Sequence, residues 1–157
     1  ASPRPIRFIM DHRIFKVPVL GWIFRLAKCI PIAPHHEDPQ AYERAFDTAQ
    51  QVLAEGDVLG IFPEGGITGD GQVQPFKGGV VKILRRAQKD GLQVPTVPMA
   101  LTGLWGSFFS RIERNGAMKR PFRRGVFTRV GFNIGTPLAG AEVTPAVCQA
   151  RLQRLLG

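Results

Sequence analysis

The stretch Val58-Leu59-Gly60-Ile61-Phe62-Pro63-Glu64-Gly65-Gly66 decides the fold. Val58 to Phe62 is a short, almost continuous apolar run, the pattern of a strand buried on both faces. Directly behind it stands a carboxylate on a turn shaped by proline and glycine. In an open α/β sheet the carboxyl ends of the strands are where ligands are received. Pro63 stiffens the exit from the strand, and Gly65 allows a positive φ or a close backbone approach. Glu64 is thereby placed to accept hydrogen bonds from hydroxyls or to pair with a cation. A plain strand-to-loop turn with a solvated glutamate fits the same local pattern, and both readings stand at this level.

Working outward, the preceding segments give the strand its context. Arg7 to Met10 reads as a short strand and Val17 to Lys28 as a short helix, with Pro18 tolerated in its first turn. The apolar residues of that helix nearly encircle it and basic side chains close its end. This suits a helix at a membrane interface or over an acyl pocket, and a plain core helix equally. Cys29 to Ile32 reads as a strand. Asp38 and Pro39 then start an amphipathic helix with Tyr42, Ala45, Phe46, Ala49, Val52 and Leu53 on one stripe, ended by Gly56. Strand, helix and strand in succession predict a right-handed parallel crossover.

Beyond the turn, Gly65 to Gln74 is a polar, glycine-rich loop, and Gly79 to Lys89 a helix with Val80, Ile83, Leu84 and Ala87 inward. Val94 to Leu101 reads as a strand at an edge or bulge, because Pro95 and Pro98 each lack a ladder donor. Val126 to Ile134 alternates as a half-buried strand. Thr144-Pro145 caps a last helix with Val147, Cys148, Leu152, Leu155 and Leu156 on its stripe. The class is α/β, with a mixed, largely parallel sheet flanked by helices.

Composition limits the alternatives. A chain of 157 residues, 44% hydrophobic and 21% charged, is long enough for one globular domain and short for two. No run approaches the roughly 18 apolar residues of a membrane-crossing helix. Arg4, Arg7, Asp11, His12, Arg13 and Lys16 leave no apolar centre for a signal peptide, and the N-terminus reads as an entry partway into a larger protein. Cys29 and Cys148 have no metal-ligand spacing and read as buried thiols of a reducing compartment.

The net charge of +9 is unevenly spread. Eight of the twelve acids lie between Glu37 and Asp70, whereas six basic residues up to Lys28 face only Asp11, and Arg111 to Arg129 face only Glu113. Such poles favour a polyanionic partner: an anionic membrane surface, a nucleotide-bearing substrate or nucleic acid. A solvated basic face is the plainer reading. Phe122 and Phe127 interleave the second pole, but no recognised nucleic-acid-binding pattern accompanies them, and nucleic acid is not expected.

Two nucleotide motifs fail on the glycine-rich loop. A Walker loop needs Gly-Lys-Ser/Thr, and Gly71 is followed by Gln72 and Val73. The dinucleotide fingerprint would need a third glycine where Gln74 stands. Asp70-Gly71 is more simply a tight turn.

Phe62-Pro63-Glu64-Gly65 resembles the Phe-Pro-Glu-Gly-Thr-Arg-Ser block of the glycerolipid acyltransferases, the lysophosphatidic acid acyltransferase family. Neighbouring segments match in order. Phe15 to Trp22 resembles the stretch before the family's second block, Ile30-Pro31-Ile32 that block, Phe76-Lys77-Gly78-Gly79 the run after the third, and Val94 to Leu101 the fourth. The likeness covers most of residues 4–110. Leu101 to Ser107 further resembles the acyltransferase domains fused to lysophospholipid transporters in bacterial 2-acylglycerophosphoethanolamine acyltransferases.

The departures are as informative. The family's His-x4-Asp block, which should precede Arg7 to Met10, is absent: five residues after His12, His35 and His36 come Val17, Gln40 and Ala41. His35 and His36 read as an exposed pair before a helix. The second-block arginine is replaced near Ala33 or Pro34 and the third-block arginine by Ile67. His12, Arg13, Lys16 and Lys28 are candidate phosphate contacts in their place.

The resemblance therefore implies an acyltransferase domain over 1–157, its C-terminal portion, with the general-base histidine expected upstream of Ala1 and no catalytic residue within the chain. The parent would move an acyl chain from acyl-CoA or acyl carrier protein to the free hydroxyl of a lysophospholipid, and the isolated chain would be inactive. Phe62, Pro63, Glu64, Gly65, Gly66 and Pro98 are the implied substrate-binding residues. No metal and no cofactor beyond the acyl donor is implied. The implied setting is the cytoplasmic face of the bacterial inner membrane, with a fused or adjacent transmembrane transporter region. A non-catalytic module binding lipid or a membrane surface is the alternative reading.

Overall fold

The structure, a computed structural model, describes residues 4–66, 68, 72–103 and 129–157. Ile6–Asp11 forms the first strand (β1), one residue longer at each end than the predicted run. Asp11 then caps a 3-10 turn over His12–Lys16, its carboxylate accepting from the Arg13 amide at 2.8 Å.

The helix predicted over Val17 to Lys28 is confined to Leu20–Leu26 (α1). Pro18 lies before it rather than in its first turn. The Leu20 amide donates to the Pro18 carbonyl at 2.8 Å and closes a γ-turn on Val19, whose φ is +67°. Gly21 allows α1 to lie directly on the preceding turn, since a Cβ there would stand 2.2 Å from the Phe15 carbonyl oxygen. At the far end Lys28, with φ +52°, takes the position normally given to glycine. The Lys28 amide donates to Arg25 and the Cys29 amide to Phe24, both at 2.9 Å. A non-glycine residue held this way costs on the order of 1–3 kcal/mol, so α1 is strained at both its ends.

Ile30–Ile32 (β2) follows, and Asp38 opens the next helix, Pro39–Ala54 (α2), accepting from the Ala41 amide at 2.8 Å. Gly56, with φ +78°, ends α2 as predicted: its own amide donates to Leu53 and that of Asp57 to Val52. Val58–Gly60 (β3) is shorter than the apolar run behind it, and Ile61 packs on the core without joining the ladder.

The strands form a parallel sheet in the order β2-β1-β3, with Ile9 opposite Ile30 and Phe8 opposite Gly60. The connection through α2 therefore passes over β1, and the helix packs on all three strands. Its stripe lies as the periodicity requires: Ala45, Phe46, Ala49 and Val52 are buried with Ile9, Ile30 and Ile83 in one cluster.

Ile83 belongs to Gly79–Lys89 (α3), whose Ile83, Leu84 and Ala87 are buried as predicted. Charge closes the seam between α2 and α3. Lys82 pairs with Glu43 at 2.7 Å, Arg86 pairs with Glu43 and also with Asp47 at 2.8 Å, and the Lys82 ammonium lies 4.4 Å from the Phe46 ring centre. Hydrogen bonds from Lys82 and then Arg86 hold the Glu43 carboxyl below its ordinary value.

The chain divides into two compact units, Ala1–Phe62 with Lys82–Val94, and Pro63–Val81 with Pro95–Gly157. In the second unit Met99–Thr102 (β4) pairs antiparallel with Gly131–Ile134 (β5), Leu101 opposite Phe132. The strand expected from Val94 starts only at Met99: Pro95 and Pro98 cannot donate, and Thr96 makes a single isolated bridge to Leu138. Likewise the expected strand from Val126 is Gly131–Ile134, its first three residues lying outside the described ones. Pro145–Leu156 (α4) packs on β4 and β5, capped by the Thr144 hydroxyl, with Cys148 buried and Val147 and Leu156 partly exposed. The architecture is mixed α/β with a parallel sheet flanked by helices. Among the described residues no helix is long and apolar enough to cross a membrane.

Candidate functional site

In the first unit Gly60 leaves room for the Phe8 ring, which would lie 2.5 Å from a Cβ at that position. Phe8 then stacks on Phe62 at 5.8 Å between ring centres and 17° between planes. Phe62 remains half exposed on that stack.

In the second unit the segment Pro63 to Gly66 is clipped to the chain that returns from the loop. The Lys77 amide donates to the Pro63 carbonyl at 2.8 Å, and the Gln74 amide donates to the Glu64 carboxylate at 2.7 Å. Gly65 has φ +62° and passes so close to Lys77 that a Cβ would meet the Lys77 side chain at 2.9 Å. The Lys77 ammonium also reaches the Gly65 carbonyl at 3.4 Å. Glu64 is half-buried. One of its oxygens already serves the loop, an anchoring that the apolar run and turn chemistry did not reveal.

Lys77 is the residue the sequence reading passed over. Its amide and side chain both meet the Pro-Glu-Gly turn, the amide at the Pro63 carbonyl and the ammonium at the Gly65 carbonyl. The signal lies in Phe76-Lys77-Gly78-Gly79, the run that resembles the one after the family's third block. Pro98, the remaining implied substrate residue, lies just before β4; its carbonyl accepts from the Gly135 amide at 2.9 Å.

Of the four candidate phosphate contacts, three lie together. His12, Lys16 and Lys28 line an open pocket of about 710 Å³ in the first unit, between the start of β2 and the first turns of α2. Arg7 and Arg44 complete it, two residues far apart in sequence that only the packing of α2 on the sheet assembles. Arg13 points into an ion pair with Glu37 instead. The hydrogen bond and charge of Glu37, together with Asp11, raise the Arg13 pKa above its ordinary value.

His35 and His36 are exposed as expected, His35 edge-on to Tyr42 at 5.3 Å and His36 within 3.7 Å of Glu37. Cys148 is buried and its thiol pKa is pushed up by burial, whereas Cys29 is only half-buried. The basic run Arg111 to Arg124 and Leu104 to Ser107 lie outside the described residues.

A family model described as Acyltransferase matches residues 1–102. The chain belongs to the acyltransferase family. The match takes in β1 to β4 and the Pro-Glu-Gly turn. The chain is 33% identical over 97 residues to the 1-acyl-sn-glycerol-3-phosphate acyltransferase BAT2 of Brassica napus, spanning 62% of this chain and 26% of that protein. To the 1-acyl-sn-glycerol-3-phosphate acyltransferase of Limnanthes alba it is 37% identical over 96 residues, 60% of this chain and 32% of the relative. These relatives bear out the resemblance to glycerolipid acyltransferases drawn from the second, third and fourth blocks and the runs beside them.

The crystal structure of the 1-acyl-sn-glycerophosphate (LPA) acyltransferase PlsC from Thermotoga maritima matches the fold of this acyltransferase chain, with a TM-score of 0.63 at 22% identity. The match covers 94% of this chain and 54% of that one. The acyltransferase chain thus spans about a quarter to a third of the length of the curated relatives it matches.

Proposed function

We propose that the protein containing this chain transfers an acyl group from a thioester, acyl-CoA or acyl carrier protein, to the free hydroxyl of a lysophospholipid. The carrying observation is the Pro-Glu-Gly turn at the end of a parallel strand, clipped through Glu64 and Lys77, within a chain of the acyltransferase family. Both relatives named above are described as acting on 1-acyl-sn-glycerol 3-phosphate. In this reading Glu64 and the neighbouring backbone amides position the glycerol-phosphate head, and Lys77 supplies positive charge at the same turn.

The chemistry needs a general base. No histidine of these 157 residues has the aspartate partner five positions on, and in this reading the base is the histidine of a His-x4-Asp motif outside them. That histidine takes the hydroxyl proton as the oxygen attacks the thioester carbonyl. The thiolate leaves and is reprotonated, and no covalent enzyme intermediate forms. The full-length protein should consume acyl thioester only when lysophosphatidic acid or another lysophospholipid is supplied, and these 157 residues alone should not. Lipid binding without turnover by the full-length protein would instead support the non-catalytic module.

We place the protein on an anionic membrane surface, the cytoplasmic face of a bacterial inner membrane. Supporting this, Val19, Trp22 and Leu26 on and beside α1 are 71%, 65% and 70% exposed, flanked by Lys16, Arg25 and Lys28. Binding to vesicles containing phosphatidylglycerol should weaken at least about tenfold between roughly 0.1 and 1 M salt, as the screening length falls from about 10 to 3 Å. Trp22→Glu should weaken it at low salt. Salt-insensitive binding, or wild-type binding by Trp22→Glu, would remove α1 from the interface.

A further inference from the structure

We propose that α1 is a two-state element: the short helix Leu20–Leu26 in water and, on an anionic lipid surface, a longer helix that starts at Pro18 and leaves its seat on Phe15. The sequence pattern prescribes one helix from Val17 to Lys28, and the run is interrupted at Val19. Val17 already has the extended backbone of a helix N-cap, φ −73° and ψ 125°, and Pro18 suits the first helical position. The Val17 carbonyl accepts from the Gly21 amide at 2.8 Å, which is the first hydrogen bond of that longer helix. Val19 stands at φ +67° and ψ −57°, a region that a β-branched residue tolerates poorly. Turning Val19 to helical angles releases the Pro18 carbonyl from the Leu20 amide, and the Trp22 amide takes it instead.

The seat that holds the short form is narrow. α1 packs on the 3-10 turn over His12–Lys16 through Gly21 at the Phe15 carbonyl and through Phe24, whose ring centre lies 6.1 Å from that of Phe15. The Arg25 guanidinium adds one hydrogen bond to the same carbonyl at 3.3 Å. Val19, Leu20, Trp22, Ile23 and Leu26 are left exposed.

Two features make a lipid surface the medium that favours the longer form. A helix this short is marginal in water, whereas an interface buries its apolar residues and makes unpaired backbone groups costly. Lys16, Arg25 and Lys28 flank the apolar residues and match anionic head groups. The strain at Val19 belongs to the short form only, so lipid binding releases it. This switch rests on the membrane reading above and on neither the acyl donor nor the acceptor.

The full chain should be followed by NMR in water and in isotropic bicelles containing phosphatidylglycerol, with affinity read by cosedimentation with vesicles of the same lipids. In lipid and not in water, the Val19 Cα resonance is expected at its helical position and the Trp22 amide to slow in hydrogen exchange. Gly21→Ala selects against the short form, because its Cβ would stand 2.2 Å from the Phe15 carbonyl oxygen. It should bind vesicles at least about threefold more tightly than wild type. Val19→Gly relaxes the short form and should bind at least about threefold more weakly than Val19→Ala, which loses nearly the same apolar surface. This second pair decides the matter if Gly21→Ala does not fold. An unchanged Val19 resonance in the bound chain, no gain in a folded Gly21→Ala, or equal affinity of the two Val19 variants overturns the switch and leaves the membrane reading standing. Failure to bind either lipid preparation overturns both.

Discussion

Glu64→Gln is expected to lower turnover of the full-length protein by about a hundredfold or more while its melting temperature stays near wild type. The amide oxygen of glutamine can still accept from the Gln74 backbone, the bond that Glu64 makes at 2.7 Å, so the loop remains clipped. What is lost is the charge and the second acceptor that would hold a substrate hydroxyl. A misplacement of about 1 Å at a reacting centre costs about that factor. Glu64→Ala should add a structural loss of about 1 kcal/mol, because the Gln74 amide then loses its partner in a half-buried setting. Turnover of Glu64→Gln within a few-fold of wild type would leave Glu64 as a loop clip alone.

Gly21→Ala is expected to be the most damaging single methyl in the first unit. The added Cβ would stand 2.2 Å from the Phe15 carbonyl oxygen and 2.8 Å from its carbon, and both are backbone atoms that cannot rotate away. The Arg25 guanidinium reaches the same carbonyl at 3.3 Å, so lifting α1 also breaks that bond. Overpacking of this kind costs about 3 kcal/mol, read as a lowered urea midpoint at unchanged slope. Trp22 lies next to the substitution and its fluorescence should report the displaced helix. A midpoint within about 0.5 kcal/mol of wild type would mean that α1 does not rest on Phe15.

The sequence was most legible where one local rule acted alone. Asp38 with Pro39, and Gly56, mark helix ends by their own chemistry, and α2 and α3 bury the stripes their periodicity prescribes. It was least legible where two rules competed. Pro18 is compatible with a first helical turn, yet the γ-turn on Val19 wins because Gly21 must reach Phe15. Pro98 sits in a run that reads as an edge or bulged strand, and without a donor it stays outside the ladder.

The site divides the same way. Glu64 and its turn follow from a strand-end pattern, whereas its bond to Gln74 depends on how a ten-residue separation closes, which no periodicity encodes. Arg7 and Arg44 enter the basic pocket only through packing of a helix on a strand. His12, Lys16 and Lys28 stand out as basic residues once the family's arginines are missing, whereas nothing local in the sequence shows that Glu37 claims Arg13.

The strained ends of α1 have a consequence for anyone who would engineer this protein. Val19 and Lys28 are the non-glycine residues with positive φ among the described ones, so a screen for thermal tolerance should favour glycine at either. At Val19 that gain costs some exposed apolar surface. At Lys28 it removes one of the cations flanking α1, so the variant that survives heating best should be among the weaker at binding anionic vesicles. Directed evolution for heat resistance and for membrane attraction would therefore pull this one position in opposite directions.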